Sequence, residues 1–225
     1  MTKSKSKSKK LSSHVTHPFA PVYSPTSKIL ILGTIPSPSS RKNEFYYMHP
    51  QNRFWLIMQK IFDVEFKYKN NEGPKAVIER KKFLLNHDIA MWDVIKSCDI
   101  IGAGDSSIKN AKENNFHEIF KKCNIQKVFC TGTTSFKYWK ILCKDKYKVQ
   151  AYYLPSTSPA NQKFWKTDKL VEEYKGEKFI NVVEGGHNSL RQKHVLEKIA
   201  NFFMTYLYKI RPINRLIDKK RPKIS

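Results

Sequence analysis

Short continuous runs of apolar residues alternate along this chain with longer segments in which apolar positions recur every three or four residues. The continuous runs are bounded by turn residues and predict buried strands at 29–33, 89–94, 127–131 and 148–154. The helically spaced segments predict a helix that starts at Pro74 and further helices over 52–62, 116–123, 133–143 and 190–208. Strands that alternate with helices form a parallel sheet covered on both faces. We therefore expect an α/β fold with three layers, α/β/α, around a central four-stranded parallel sheet.

Two polar segments at the ends of predicted strands mark the expected ligand site. The sequence GTIPS (33–37) ends the first strand, and LPSTSPAN (154–161) ends the fourth. Ligands of open parallel sheets bind beyond the carboxyl ends of the strands. We expect these two distant segments to line one crevice.

The length of 225 residues suits one well-buried α/β domain, which we expect over 15–208. Residues 1–14 alternate lysine with serine and cannot build a core, so they predict a disordered basic tail. Residues 209–225 predict a second basic tail.

The net charge of +23, from 42 basic and 19 acidic residues, indicates a polyanionic partner, of which nucleic acid is the commonest. The alternative is that the lysines serve only general solubility. No apolar stretch reaches the roughly 18 residues of a membrane span. The N-terminus also lacks the apolar core of a secretory signal. We expect an intracellular protein of the cytoplasm or nucleus that does not bind membranes.

The four cysteines form no C-x-x-C pair and follow no zinc or iron–sulfur spacing; they are Cys98, Cys123, Cys130 and Cys143. In an intracellular protein such cysteines are reduced core residues. We expect no metal and no other cofactor.

The segment FYYMHPQNRFW (45–55) combines aromatic faces with one neutral amide. Tyr46 or Tyr47 can stack on a nucleobase, a contact worth about 1–3 kcal/mol. The amide of Asn52 can donate to and accept from a water or a base edge. Its structural alternative is a helix N-cap, for which asparagine is among the preferred residues. Arg53 either binds a phosphate or closes a salt bridge.

Other polar groups follow later in the chain. The loop around Asp105 and Ser107 either contacts a ligand or caps the segment that follows it. The hydroxyls and backbone N–H groups of LPSTSPAN suit a phosphodiester on either side of a target nucleotide. Beyond them, Phe164 and Trp165 either form a wedge in a duplex or pack in the core.

Taken together, LGTIPS, YYMHPQNRFW, WDV, DSSIKN and LPSTSPAN resemble the uracil-DNA glycosylase superfamily. They look most like its hypoxanthine-DNA (deoxyinosine) glycosylase branch, and the resemblance covers roughly residues 17–165. It implies the fold of that superfamily and a repair enzyme that flips a damaged base out of double-stranded DNA. No lysine stands in a recognised Schiff-base position, so we expect a monofunctional enzyme, and we expect it to be a monomer. The segment 175–187 looks like an insertion relative to that pattern.

The resemblance also implies roles for individual residues. It places the catalytic role on Asn52. The residues expected to bind the base are Gly33, Thr34, Ile35, Pro36, Ser37, Tyr46, Tyr47, Ser107 and Asn110. The residues expected to bind DNA are Arg53, Pro155, Ser156, Thr157, Ser158, Asn161 and Phe164. In this hypothesis the amide of Asn52 holds the attacking water or the base, and backbone N–H groups of 34–37 take up charge on the leaving base.

One departure from the superfamily pattern bears on the substrate. Other branches carry an Asp or Asn in the first motif to activate water, but Ile35 stands at the matching place, and LPSTSPAN has no histidine. This argues against efficient uracil excision. A uracil or broad deaminated-base glycosylase, a catalytically inactive DNA-binding relative and an RNA-binding module stay open as alternatives.

Overall fold

The computed structural model describes residues 11–175, and all elements and contacts given below lie within that range. The chain divides into two compact units, Met1–Val183 and Glu184–Ser225, and the described residues all belong to the first. The predicted helix over 190–208, the tail over 209–225 and all but the first residue of the predicted insertion lie outside the described residues.

The strands, in chain order, are β1 Ser13–Thr16, β2 Ile29–Gly33, β3 Ile89–Asp93, β4 Ile95–Ile100, β5 Lys109–Glu113, β6 Lys127–Thr131 and β7 Ala151–Leu154. The α-helices are α1 Pro38–Lys42, α2 Phe54–Phe62, α3 Gly73–Asn86, α4 His117–Lys122, α5 Thr133–Leu142, α6 Lys144–Tyr147 and α7 Thr167–Lys175. Two single turns of 3₁₀ helix lie at Asp105–Ser107 and Pro159–Asn161.

The central sheet has four parallel strands in the order β3-β2-β6-β7. Strand β2 is buried along its whole length, and its side chains alternate between two core clusters. Ile29 and Ile31 pack with residues of α2, α3 and α7, whereas Leu30 and Leu32 pack with residues of α4 and α5. Helices thus cover both faces, and the predicted three-layer fold is confirmed.

A second, antiparallel sheet was not predicted from the sequence. Strand β4 pairs with β1 on one side and with β5 on the other. Ser13 and His14 therefore belong to a paired strand, and His14 contacts Asp99. The predicted disordered tail over 1–14 is wrong at these two residues, because their backbone is hydrogen-bonded to β4.

The register of the central sheet positions the candidate site. Gly33 of β2 stands opposite Asp93 of β3, and Thr131 of β6 stands opposite Leu154 of β7. All four strands point the same way, so their carboxyl ends, and the loops that leave them, meet at one edge of the sheet.

Candidate functional site

A cavity of about 630 Å³ opens at this edge of the sheet. Its walls come from GTIPS, from the Tyr46–Asn52 segment, from Asp93, from the loop around Gly104, from the start of α5 and from the 156–161 loop. The predicted convergence of GTIPS and LPSTSPAN on one crevice is what the structure shows.

Gly33 has no side chain, and this leaves room for the carboxylate of Asp93 to lie against its backbone in the cavity wall. A Cβ atom at this position would lie 2.2 Å from Asp93 Oδ1 and 3.3 Å from the hydroxyl oxygen of Tyr47. Any side chain at residue 33 would therefore displace the carboxylate of Asp93. A glycine is therefore needed at residue 33 so that the side chain of Asp93 on β3 can lie close to the backbone of β2.

The carboxylate of Asp93 is buried, and only one of its two oxygens is hydrogen-bonded within the described residues. Its Oδ2 lies 2.9 Å from Nε2 of His17, and the two side chains are 7% and 1% exposed. Oδ1 has no hydrogen-bond partner among the described residues, and Asp93 lines the cavity. Sequence reasoning missed both residues. Asp93 could have been identified from the sequence, because it ends a predicted strand of the parallel sheet next to the one that ends at Gly33. No feature of the sequence pointed to His17.

The amide of Asn52 has a fixed orientation. Its Oδ1 accepts hydrogen bonds from the backbone N–H of Phe54 and from the hydroxyl of Thr157, both at 2.9 Å. The amide thus accepts the N–H of the first residue of α2, but the N-cap position itself is Arg53, so the expected N-cap role of Asn52 is wrong by one residue. Within the described part of the chain its Nδ2 has no hydrogen-bond partner, and Asn52 lines the cavity. The side chain thus presents a hydrogen-bond donor to a ligand.

The two tyrosines differ in role. Tyr46 is 2% exposed, and its hydroxyl donates to the carbonyl of Ala20, so its ring belongs mainly to the core. Tyr47 adopts a left-handed φ of 57°, which bulky residues rarely do. One face of the Tyr47 ring stacks on Phe54, with ring centroids 4.1 Å apart, so a base can stack only on the other face.

The hydroxyl of Tyr47 is anchored at 2.7 Å from that of Thr131, which itself donates to the carbonyl of Leu32. Burial, and secondarily the charge of Asp93, raise the pKa of Tyr47 far above its ordinary value. The hydroxyl therefore stays protonated.

The first motif, GTIPS, forms one wall, with all five of its residues lining the cavity. Ile35 is buried and packs in the core, and the hydroxyl of Thr34 donates to Asp105 Oδ2 at 2.7 Å. The backbone N–H groups of Ile35 and Ser37 find no acceptor among the described residues. They remain free for a ligand.

Asp105 is the second carboxylate of the cavity. The residue as a whole is exposed, but its carboxyl group is held in the wall by Thr34. Desolvation by burial raises the pKa of Asp105; the Thr34 hydroxyl partly offsets this effect and the charge of Asp93 adds to it.

Four expected ligand contacts need correction, because the structure directs these residues elsewhere. Ser107 bonds the backbone of Ile101 and Gly104, and Asn110 donates to Asp99, so neither lines the cavity. Pro155 is buried, and its carbonyl accepts from Tyr174.

Arg53 is the fourth correction. It is 6% exposed, and its guanidinium donates to the carbonyls of Trp165 and Ser158. Its backbone N–H also donates to the carbonyl of Thr157. Arg53 therefore ties the 45–55 segment to the 156–161 loop instead of facing a phosphate. Desolvation lowers its pKa.

The remaining residues expected to bind DNA lie at or near the cavity. Ser156, Thr157, Ser158 and Asn161 line it, and the hydroxyl of Thr157 donates to Oδ1 of Asn52. Phe164 is 72% exposed, which suits a wedge, whereas Trp165 packs against the core.

Other predictions concern cysteines, metals and membranes. All four cysteines are buried and free of disulfides. Across residues 11–175, no three His, Cys, Asp or Glu side chains are grouped so as to hold a metal ion. In the same range, no helix has the length and apolar character needed to cross a membrane.

Comparisons with known proteins show what the chain as a whole is similar to. The family model of the Uracil DNA glycosylase superfamily matches residues 20–179. The chain is 32% identical over 153 residues to the Hypoxanthine DNA glycosylase of Methanosarcina barkeri, a match that covers 67% of this chain and 91% of the relative. It is 30% identical over 149 residues to the Hypoxanthine DNA glycosylase of Methanosarcina acetivorans, covering 66% and 89%.

A solved structure gives a similar result. The solution NMR structure of a candidate uracil DNA glycosylase from Methanosarcina acetivorans matches with a TM-score of 0.56 and 25% sequence identity. The match covers 70% of this chain and 94% of that one.

Proposed function

Because the chain belongs to the uracil DNA glycosylase superfamily, we propose that it is a DNA glycosylase that hydrolyses the N-glycosidic bond of deaminated bases in double-stranded DNA, chiefly hypoxanthine. The observation that carries this proposal is the amide of Asn52, fixed as a donor at a cavity about the size of a small-ligand site. Two relatives named Hypoxanthine DNA glycosylase support the choice of base.

The donor at Asn52 suits hypoxanthine better than adenine. Hypoxanthine presents a carbonyl oxygen where adenine presents an amino group. Nδ2 of Asn52 can donate to that carbonyl but would face a second donor in adenine. A site built to pair a polar group rejects an analogue that leaves the group unpaired. The same donor does not separate hypoxanthine from xanthine or uracil, which also carry carbonyls.

The base must leave the helix before it can enter the cavity. Flipping costs a few kcal/mol, least at a mismatched or damaged pair. The strongly basic chain offsets part of that cost through phosphate contacts. Ser156, Ser158 and Asn161 stand at the cavity beside Asn52 and suit the phosphodiester on either side of the flipped nucleotide.

Departure of the base places negative charge on hypoxanthine and positive charge on the sugar. Preorganised donors stabilise such charge without moving during the reaction. Asn52 Nδ2 and the free N–H groups of Ile35 and Ser37 are the donors available for the leaving base. The chemistry calls for no Schiff base and no strand cleavage, so we expect a monofunctional enzyme.

The test is a substrate panel. Labelled duplexes that carry one deoxyinosine, uracil, xanthine or only normal bases are incubated with the protein and then treated with alkali, which breaks the strand at abasic sites. We expect cleavage chiefly at deoxyinosine. Cleavage chiefly at uracil would overturn the choice of base and show that Ile35 is no barrier. Tight binding without cleavage of any duplex would indicate the inactive DNA-binding relative instead.

A further inference from the structure

We propose that Asp93 is the carboxylate that activates the hydrolytic water, and that His17 is the residue that positions it. This inference rests on the proposed glycosylase activity and adds to it the acid–base group that GTIPS lacks. Ile35 stands at the place in the first motif where, by the resemblance to the superfamily, other branches carry a water-activating Asp or Asn. The structure places a carboxylate beside the same motif, on the neighbouring strand.

The geometry of Asp93 fits a general base. The residue ends β3, directly opposite Gly33 in the register of the sheet. Its Oδ1 would be 2.2 Å from a Cβ at Gly33, so the oxygen lies against the backbone of the first motif. The same oxygen has no hydrogen-bond partner in the described part of the chain. Burial of a carboxylate oxygen without a hydrogen-bond partner costs folding free energy. Such an oxygen at a cavity is therefore a candidate for contact with a ligand or a water.

Strands hold Asp93 more firmly than a loop would. β2 and β3 pair along five residues, and the N–H of Val94 donates to the carbonyl of Gly33 at 3.0 Å. Asp105, the other carboxylate of the cavity, lies in a 3₁₀ turn, and one of its oxygens already accepts from Thr34. Groups on sheet strands keep catalytic geometry more precisely than groups on loops.

His17 fixes the orientation of the carboxylate. Its ring is packed edge-on against Phe19 and Trp92, with centroids 4.5 and 6.2 Å away. Its buried Nδ1 has no hydrogen-bond partner in the described residues, so a proton there would be an unpaired buried donor. The tautomer with its proton on Nε2 fits the site: it donates to Oδ2 of Asp93 and leaves Oδ1 for the water.

In the hydrolytic step, the oxygen of the water forms a bond to C1′ of the sugar while the bond from C1′ to N9 of hypoxanthine breaks. The electron pair of that bond leaves with the base. One proton of the water passes to Oδ1 of Asp93. The hypoxanthine anion, stabilised by Asn52, takes a proton from solvent, and Asp93 releases its proton to solvent. A carboxylate also stabilises the positive charge that builds on the sugar.

The first test measures the excision rate in single turnover with enzyme in excess, on whichever damaged base the wild-type protein removes. We expect Asp93→Asn to slow excision by about 10²-fold or more, the usual range for removal of a general base. The affinity for a duplex that carries the same damaged base on a 2′-fluorinated sugar, which resists cleavage, should stay close to that of the wild type. Asp99→Asn is the matched control, because Asp99 forms a similar pair with His14 outside the cavity. It should keep the wild-type rate.

The second test separates positioning from folding. His17→Gln keeps an N–H for Oδ2 of Asp93, and His17→Leu does not. We expect the Leu variant to lose on the order of tenfold in excision rate, since small misplacements cost up to about 10²-fold. The Gln variant should recover most of that loss, and both should keep the wild-type affinity for the uncleavable duplex.

The outcomes are distinguishable. A wild-type protein that removes uracil but not hypoxanthine contradicts the proposed base, and the comparison of Asp93→Asn with wild type then decides the role of Asp93 on uracil. A folded Asp93→Asn protein that excises at the wild-type rate overturns the inference. So does loss of excision in Asp105→Asn with Asp93→Asn unaffected. A wild-type protein that excises no base overturns both proposals.

Discussion

The oxygen and the amino group of the Asn52 amide have different surroundings. Its oxygen accepts from the N–H of Phe54 and from Thr157, and its amino group points to the ligand space. One side chain therefore both bonds the start of α2 and offers a hydrogen-bond donor at the cavity. From the sequence, a helix cap and a ligand contact were alternative roles for Asn52. The partners of its oxygen and of its amino group are known only once the neighbouring residues are placed.

Asn52→Asp separates these two roles. The aspartate keeps an oxygen for Phe54 and Thr157 but presents a second oxygen to the base in place of the amino group. We expect thermal stability close to that of the wild type and a fall in the rate of hypoxanthine excision of about 10²-fold, the usual cost of one preorganised donor. An Asp variant with full activity would show that the residue works as an acceptor.

Arg53 is a structural residue. Its guanidinium is buried and bonds two backbone carbonyls of the facing loop. We expect Arg53→Met to lower the free energy of unfolding in urea by about 2–3 kcal/mol, because hydrogen bonds from a charged donor are removed. If instead stability is unchanged and only DNA affinity falls, the residue binds phosphate after all.

At the scale of elements, the central sheet was predictable and the second sheet was not. Continuous apolar runs identified β2, β3 and β6 within one residue, since strands buried on both faces leave that pattern. Strand β5, KNAKE, has no buried residue, and β1 has only Val15. Their sequences carry no periodic signal, and pairing with β4 alone makes them strands.

The same limit explains the site residues that were missed. His17 follows β1, and its partner Asp93 is far away in sequence, so only the antiparallel sheet reveals the pair. Ser107 and Asn110 have polar side chains in the right region, but their hydrogen bonds stabilise their own loop and the neighbouring strand. A motif indicates which segments approach the cavity, whereas the direction of each side chain depends on neighbours that are distant in sequence.

The 3₁₀ turn at Pro159–Asn161 leads to an aromatic side chain that is largely exposed, Phe164. We expect Phe164→Ala to slow excision from a duplex by about tenfold while leaving excision from single-stranded DNA unchanged, because a wedge only helps to open paired, stacked bases. Ile78→Ala is a control of similar exposure, 68%, on α3. Equal reductions on both substrates would contradict the wedge.

For the whole molecule, the net charge of +23 governs DNA affinity more than selectivity. Removal of residues 1–10 takes away five lysines. We expect weaker binding to undamaged duplex and a shallower salt dependence, with the log–log slope reduced by about 0.9 for each phosphate that the shortened chain no longer neutralises. Fluorescence anisotropy at several salt concentrations measures both. An unchanged slope would mean that these lysines do not contact DNA.

The most direct test of the central claim is to identify the base that the protein releases. A duplex with one deoxyinosine is incubated with the wild-type protein and with Asn52→Ala, and the small-molecule fraction is analysed by mass spectrometry. We expect free hypoxanthine from the wild type, and at least about 10²-fold less from an Asn52→Ala protein that still binds the duplex. No free hypoxanthine from the wild type, or equal amounts from both proteins, would contradict the proposed activity and the role of Asn52 in it.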